Sequence, residues 1–545
     1  MSFKNLFSGT FKLFRLYLRC DRIKLAIWIF GSIAIMYASA WSVVELYKTP
    51  EQIYGYVSVA VSNAASRAFN GPILGATQAS VVLTETFSFF TLVVAFASTL
   101  LVVRHTRQAE ENGRAELVTG GAVGVFAPLT ASLLLALCLN IALGATFTFS
   151  YVACGLGWGG SVMAGLAMGM VGVIFAAIAA IAAQITQTSR AANAIAGGAI
   201  GFFFLVRAVG DVLGKVEPNG VEVKSSWLTF LSPMGLARET QPLVRDNIWP
   251  VYVLLALAFL LVIIAFIILK NRDLGSGIVP VRRGPPEASS LLSNVFGLAW
   301  RQQCGLIVGW SVCIVLMAAI VGGMADEAGK FSSSNQTMND LITLLGGSEN
   351  IVKAYLTFCM LLMGVMVAAY TIQAMQKTRA EEVGGRLEQI LACRVSRMSW
   401  LLSHVLLVAL GGTLLLVLSG VATGLTYGIV INDIWNQTSS LLVAGLAQLP
   451  AVLIFLGFSA LSFAVLPKIS IMLDWLFFAA CYVVIQFGEV FKLDQWVLDL
   501  SPFTHVPAMP SQDIAWWPVV SMTMIAVVGI IASLVLFRRR NLTTV

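Results

Sequence analysis

Long apolar runs alternate with short polar segments along the whole chain. A bilayer core of about 30 Å requires roughly 20 consecutive apolar residues in a helix. Twelve runs meet this requirement, at 24–47, 81–103, 126–153, 161–186, 191–213, 249–270, 304–325, 351–375, 399–430, 440–466, 469–491 and 515–537. The pattern therefore predicts an all-α polytopic membrane protein with twelve transmembrane helices.

Lysine and arginine are distributed unevenly among the connections, and this predicts how the helices are oriented. If the N-terminus lies inside, the inside segments contain 24 of the 34 Lys and Arg residues. Cytoplasmic loops of membrane proteins carry such an excess. We therefore expect a multi-pass protein of the bacterial inner (plasma) membrane with both termini in the cytoplasm. No small-residue cleavage site follows the basic N-terminal segment, so we expect no signal peptide.

The composition agrees with a membrane location and narrows the chemistry. Hydrophobic residues make up 58% of the chain and charged residues only 11%, against about 25% charged in soluble domains. The basic pI of 9.0 follows from the cytoplasmic loops, so it does not indicate a nucleic-acid partner. The chain has no G-x-x-x-x-G-K-[ST] motif, no C-x-x-C and three scattered histidines. We therefore predict neither an enzyme nor a cofactor or metal site, and we expect free thiols.

The two halves of the chain share landmarks in the same order. The paired landmarks are Arg19 nine residues before Trp28 and Arg301 nine before Trp310, Leu-Ser-Pro at 231–233 and 500–502, Trp-Pro at 249–250 and 517–518, and basic exits at 270–274 and 538–542. They predict a first six-helix half at 1–275, a cytoplasmic linker at 276–290 and a second half at 291–545. Parallel repeats of this kind are related by an axis along the membrane normal, which places a transport pathway between them.

The strongest match between the halves is a charged segment after the second apolar run of each. The pattern T-R-x-x-E-x-x-G-R-x-E occurs at 106–116 and again at 378–388, a constant separation of 272 residues. Charged residues are scarce in this chain, so four identical charges per copy favour duplication over chance. We call these two segments the motif loops.

Two interpretations of the motif loops remain open. Read as a helix, Glu110 and Arg114 are four residues apart, as are Glu382 and Arg386, which is a stabilising order for an ion pair. The loops could then be charged helices that merely end a span. The alternative, which the fixed pattern in both halves favours, is a short cytoplasmic helix that docks a partner subunit.

Other features concern the membrane. Aromatic and aliphatic residues at 3–18 recur at helical spacing opposite basic residues, and a weaker counterpart lies at 291–299, so both predict amphipathic interfacial helices. Gly165-x-x-x-Gly169 and Gly197-x-x-x-Gly201 predict close helix packing. Ionisable groups in lipid are costly, so three residues are candidates for the transport pathway, although the two carboxylates could instead extend to an interface. They are Glu85, Arg207 and Asp474.

The duplicated motif, the Leu-Ser-Pro and Trp-Pro landmarks and the Asn-Arg-Asp-Leu-Gly exit at 271–275 resemble the permeases of bacterial ATP-binding-cassette exporters for polyketide antibiotics, the tetronasin-type group. The resemblance covers essentially the whole chain. The second copy departs from the first in having Glu381-Glu382 where the first has Glu110-Glu111, one position out of register, and its exit lacks the Asp and Gly.

This resemblance implies a permease that exports hydrophobic or small amphipathic compounds by alternating access. It also implies an ABC ATPase homodimer as a separate partner, which binds the ATP and Mg²⁺, and amphipathic stretches that act as connecting helices. The motif loops would be the coupling helices that the ATPase pushes. The candidate coupling residues are Arg107, Glu110, Gly113, Arg114, Glu116, Arg379, Glu382, Gly385, Arg386 and Glu388.

Two other classes of function remain open on the sequence. An ion-coupled secondary transporter would use Glu85 or Asp474 as its proton site and would work without an ATPase. A membrane scaffold or sensor would transport nothing and would not stimulate ATP hydrolysis in any complex.

Overall fold

A computed structural model of the chain describes residues 6–62, 64–218, 221–273, 275–279, 287–334, 351–487, 494–512 and 515–541. Almost all of the regular structure in these ranges is α-helical. The chain divides into two compact units, Met1–Gly284 and Pro285–Val545. The predicted linker, 276–290, contains the division between them.

The long helices of the first unit run between the two ends of a bundle, and one end carries the first motif loop. Threonine side chains begin two of them: Thr77 accepts from the amide of Ser80 and Thr188 from that of Ala191, both at 3.2 Å, so each caps a helix N-terminus. The helices are α1 Thr10–Leu46, α2 Pro50–Ser62, α3 Ala64–Asn70, α4 Gln78–His105, α5 Arg107–Glu111, α6 Arg114–Thr119, α7 Ala127–Ala153, α8 Trp158–Ile185, α9 Ser189–Val212, α10 Pro233–Arg238 and α11 Trp249–Lys270.

The end of the first unit opposite the motif loop is covered by folded connections. A short hairpin forms there, in which β1 (Lys215–Val216) pairs antiparallel with β2 (Val223–Lys224). The amide of Val223 donates to the carbonyl of Ile73 at 3.1 Å, which joins the hairpin to the connection before α4. We call this end of the first unit the far end.

The second unit is also helical. Its helices are α12 Val295–Ser334, α13 Ile351–Val383, α14 Arg386–Leu391, α15 Arg397–Ile431, α16 Ile434–Ala447, α17 Leu449–Val465, α18 Ser470–Phe487, α19 Gln495–Leu498 and α20 Trp516–Arg539. The predicted run 440–466 is divided at Gln448 between α16 and α17. Pro450 lies in the first turn of α17. Pro450 lacks an amide hydrogen and therefore fits only the start of a helix.

Eleven helices within the described residues are long and apolar enough to cross a membrane. This confirms a polytopic, all-α membrane protein. The run predicted at 469–491 corresponds to α18, whose apolar part at 470–485 is shorter than the other eleven, and residues 488–493 lie outside the described ranges. The count of twelve, and the repeat organisation with it, stays a prediction.

Within the described residues, the two predicted interfacial helices are not separate from the spans that follow them. The first begins at Thr10 and continues into the span as one 37-residue helix, and in the second unit α12 likewise starts at Val295 and continues through the span. No proline or glycine interrupts the chain between Thr10 and Trp28, and a buried stripe at Leu13, Tyr17, Asp21 and Leu25 keeps one face packed across the junction. Residues 1–5 of the predicted stretch lie outside the described residues.

Buried positions of α1 recur in α12 at a constant separation of 282 residues. The matching pairs are Tyr17 and Ala299, Asp21 and Gln303, Leu25 and Ile307, Ser32 and Ile314, and Met36 and Ala318. The same separation relates Trp28 to Trp310 in the sequence. If the two units are repeats, as predicted, this separation gives the correspondence between their residues along the first helix.

Small residues bring α7 and α8 into close contact in the first unit. A Cβ added at Gly165 would overlap the carbonyl of Gly144 and the hydroxyl of Thr148, so only glycine fits there. Gly201, by contrast, has no described atom within 4 Å of the place a Cβ would occupy. The predicted packing role is therefore confirmed for Gly165 and is not observed for Gly201.

Replacing Gly165 with alanine should weaken the α7–α8 contact and lower the thermal midpoint of the purified protein in detergent. Overpacking of this kind costs about 1–3 kcal/mol. Gly201→Ala is the matched control and should leave the midpoint unchanged or raise it, because alanine favours helix over glycine. Equal midpoints for the two variants would contradict the packing assignment.

Candidate functional site

A glycine bends each motif loop at the same place. Gly113 and Gly385 both have φ 69° and ψ 0°, a left-handed conformation that costs other residues about 1 kcal/mol or more. The bend separates α5 from α6 in the first unit and α13 from α14 in the second. The predicted pairs Glu110–Arg114 and Glu382–Arg386 are therefore wrong, because the four-residue spacing brings side chains together only within a continuous helix.

The two motif glutamates instead lie at the centres of two equivalent clusters. Each accepts from an arginine three residues earlier and from the arginine at the basic exit of its own unit. The first triad is Arg107, Glu110 and Arg272, and the second triad is Arg379, Glu382 and Arg540.

The two triads share the main features of their geometry. Nη1 of Arg107 lies 2.8 Å from Oε2 of Glu110, and Nη1 of Arg379 lies 3.0 Å from Oε2 of Glu382. The exit arginine of each triad donates from Nη2 to the other carboxylate oxygen, Oε1. No side chain of either triad is more than 12% exposed. Such charges remain stable inside a protein only because they are paired and hydrogen-bonded.

The first triad also binds the end of α8 and the connection that follows α11. Nε of Arg107 donates to the carbonyl of Ala183 at 2.8 Å, and Nε of Arg272 donates to Oε1 of Gln184 at 2.6 Å. Both arginines donate to the carbonyl of Ser276, at 2.9 and 2.7 Å. Cations are favourable at a helix C-terminus, where the helix dipole is negative. The triad therefore connects the motif loop, α8 and the exit of α11.

The second triad makes the corresponding connections in its own unit. Nη1 of Arg540 donates to the carbonyl of Phe463 near the end of α17. Its guanidinium lies 5.0 Å from the ring centre of Phe463 and 5.3 Å from that of Phe537. Cation–π contacts of this kind add to the pairing with Glu382. The second motif loop is thus connected to α17 and to α20.

The remaining motif residues face outward. Arg114 and Glu116 are exposed, and Leu117 beside them has 84% of its surface exposed. Arg386 and Glu388 are exposed in the second loop. Arg386 lies 2.9 Å from Glu381, and this carboxylate raises the pKa of the Arg386 guanidinium. The ten predicted coupling residues therefore divide into four buried charges, two glycines at the bends and four exposed charges.

The sequence contained the signals for the triads, although the sequence reasoning did not connect them. It identified the duplicated Glu110 and Glu382 and the basic exit of each half separately. It assigned the glutamates to the wrong arginines because it assumed a continuous helix. The recurrence of Arg272 and Arg540 at both exits, in a chain with few charges, was the observation that pointed to a pairing.

Two predicted pathway residues lie near the far end of the first unit and contact its covering connections. Arg207 pairs with Asp211 at 3.2 Å and donates to the carbonyls of Ala68 and Phe69 at 2.7 and 3.0 Å. Glu85 accepts from the hydroxyl of Tyr56 and, at 3.1 Å, from Nδ2 of Asn70. These contacts hold α2 and α3 in place, and a role in transport stays a prediction.

Sequence reasoning missed a further buried charge in this region. Arg238, in α10, is 2% exposed and donates to the carbonyls of Leu83 and Pro72 at 3.0 and 2.9 Å. Burial lowers the pKa of Arg238 to about 10, so it remains protonated at neutral pH. It fixes the connection before α4 to α10.

Asp474 lies in α18 of the second unit. It is 3% exposed and accepts from the hydroxyl of Ser462 at 2.6 Å. Its predicted place in the transport pathway stays a prediction. Among the described residues, no three His, Cys, Asp or Glu side chains are grouped so that they could hold a metal ion.

These features define a polytopic α-helical membrane protein with two charged loops of matching sequence and contacts. Residues 292–538 match the family described as "Multidrug efflux system permease Rv1217c, C-terminal domain". Over 536 residues the chain is 31% identical to the multidrug efflux system permease protein Rv1217c of Mycobacterium tuberculosis (strain ATCC 25618 / H37Rv), covering 98% of this chain and 95% of the relative. The chain belongs to this family of efflux permeases. The resemblance to exporters is thereby confirmed at the level of a drug-efflux permease, and the tetronasin-type specificity stays a prediction.

Replacing Glu110 with glutamine should destabilise the first unit, because two buried arginines would lose the carboxylate that they share. Breaking a buried ion pair from one side costs about 3–5 kcal/mol. The thermal midpoint of the purified protein should fall clearly. Glu116→Gln, an exposed change in the same loop, is the control and should alter stability by no more than about 0.5 kcal/mol. Indistinguishable midpoints would show that Glu110 is not a structural centre.

Proposed function

We propose that this chain is the membrane-spanning permease of an exporter driven by a separate ATP-binding-cassette ATPase. The observation that carries the proposal is the division of each motif loop into a buried part and an exposed part. The buried part is attached to the helices of its unit by a triad, and the exposed part faces outward, where a partner could contact it. A loop that only ended a helix would not require this duplicated internal attachment.

The exposed residues are the candidate docking surface. In the first loop they are Arg114, Glu116 and Leu117, and in the second Arg386 and Glu388. Membership of an efflux-permease family supports the need for an energy source. Two loops, one in each unit, suit two copies of an ATPase subunit, and ATP and Mg²⁺ would bind there.

The attachments of the loop support a route for coupling. Closure of the ATPase dimer on ATP would push α6 and α14. Because Glu110 and Glu382 are paired with arginines at the ends of α11 and α20, the displacement would pass to the last helix of each unit. Alternating access by the two units would then carry the substrate outward. This assignment places the motif loops and both termini in the cytoplasm.

The family and the apolar character of the chain support a proposal for the substrate class. The printed name of the relative specifies multidrug efflux. We propose hydrophobic or amphipathic compounds for this chain, including antibiotics of the polyketide ionophore type. Few charges lie within its spans, so a strongly charged solute would find few partners.

Reversing the charge of both exposed glutamates tests the docking surface. Glu116→Lys with Glu388→Lys should reduce recovery of the co-expressed ATPase by about tenfold or more, because misplaced interface charges cost several kcal/mol. Resistance to exported drugs should fall in parallel, with no change in thermal midpoint. Glu51→Lys, an exposed acidic position in α2, is the control and should behave like the wild type. Full ATPase recovery by the double variant would contradict this docking surface.

A second experiment separates the proposal from an ion-coupled transporter. The purified chain is reconstituted alone in liposomes under a pH gradient, without ATP. We expect no drug accumulation until the ATPase subunit and ATP are added. Transport by the chain alone would overturn the proposal.

A further inference from the structure

A cavity of about 700 Å³ lies within the first unit, between α1 and the motif loop. Its walls come from the N-terminal part of α1, the end of α4, the loop itself, the start of α7 and the exit of α11. Many of the lining side chains are apolar, including Leu16, Val118, Val123, Leu129 and Leu269. Cavities of this size accept small organic ligands or the headgroup end of a larger one.

Four cationic side chains line the same cavity: Lys24, Arg104, Arg114 and Arg272. Arg272 is occupied by Glu110. Arg104 is 31% exposed, and its Nη1 lies against a carboxylate oxygen of Asp21. Lys24 and Arg114 are exposed and have no ion-pair partner among the described residues. Glu110 and Asp273 are the carboxylates in the lining, and both oxygens of Glu110 already accept from arginines.

The second unit has neutral groups at two of these positions. At the separation of 282 residues that relates α1 to α12, Lys24 corresponds to Leu306. At the separation of 272 that relates the motif loops, Arg104 corresponds to Gln376. The fold of the loop therefore does not require these two charges.

At the third position the second unit also has an arginine, but a carboxylate lies beside it. Arg114 corresponds to Arg386, which is paired with Glu381. The residue that corresponds to Glu381 in the first unit is Ala109, which lines the cavity. The cavity beside the second motif loop, about 670 Å³ in volume, has Arg394 as its one charged lining residue. Of these two cavities, the one in the first unit therefore has more positive charge in its lining.

We propose that this cavity binds the headgroup of an anionic phospholipid. The phosphate would lie among Lys24, Arg104 and Arg114, and an acyl chain would follow the apolar wall. Basic pockets between helices recognise anionic headgroups in this way. A lipid fits better than a soluble phosphate because the lining is largely apolar and α1 continues from the cavity with exposed Ile23, Ile27 and Phe30.

The test uses the full-length permease without any ATPase, so its result does not depend on the proposed function. Purified protein is titrated with phosphatidylglycerol, phosphatidylcholine or glycerol phosphate, and bound ligand is counted by native mass spectrometry. We expect one site that prefers phosphatidylglycerol. Lys24→Leu with Arg114→Ala should weaken it about 30-fold, at about 1 kcal/mol for each removed cation. Arg104 is left intact because its removal would take away one of the two partners, Arg104 and His105, of the buried Asp21.

Controls decide between the outcomes. Arg386→Ala with Arg394→Ala removes two cations from the second unit and should change this affinity less than about twofold, whereas Lys24→Arg with Arg114→Lys should retain it. Equal binding of the two phospholipids, or unchanged affinity in the Lys24→Leu, Arg114→Ala variant, would overturn the proposal. Binding of glycerol phosphate as tightly as phosphatidylglycerol would overturn the assignment to a lipid.

Discussion

Each unit contains a buried glutamate that cannot exist there alone. A carboxylate removed from water is unfavourable by several kcal/mol unless cations and donors replace its hydration. Glu110 and Glu382 meet this requirement with one arginine from the motif loop and one from the end of the unit's last helix. Because segments far apart in the sequence supply the two arginines, satisfying the carboxylate also fixes the loop to α11 or α20. The exposed face of the loop depends on this attachment for its position.

The two units use the same attachment but differ around it. The first surrounds its loop with Lys24, Arg104 and an arginine, Arg114, that lacks a carboxylate partner among the described residues. The second places Leu306 and Gln376 at the first two positions and neutralises the third charge with Glu381. The shared triads suit a task common to both units, namely carrying a displacement from a partner. The differing charges suit a task of the first unit alone, and an anionic lipid headgroup matches their chemistry.

The sequence predicted most of the fold because apolar runs in a membrane protein have few alternatives to helix. It also identified the motif loops, because the pattern that they share can be found by comparing the two halves of the sequence. The prediction was wrong where a spacing rule for continuous helices was applied across the bend at Gly113. The spacing of Glu110 and Arg114 indicated a pair, but Gly113 takes a left-handed conformation and turns Arg114 away. The true partner, Arg272, lies 162 residues along the chain. Spacing rules for helices concern residues three or four apart and cannot predict such a pair. In the same way, the polarity of the 3–18 stretch predicted a helix separate from the first span. In the structure one helix begins at Thr10, and its buried stripe from Leu13 to Leu25 continues into the span.

We propose that the triads transmit movement from the motif loops to the last helix of each unit. Arg272→Met with Arg540→Met would cut this connection and leave the pairs Arg107–Glu110 and Arg379–Glu382 inside the loops. The most direct measurement is drug transported per ATP hydrolysed, in proteoliposomes that contain the permease and its ATPase. We expect ATPase binding and hydrolysis to persist while transport per ATP falls sharply. An unchanged ratio in a correctly assembled complex would contradict the account.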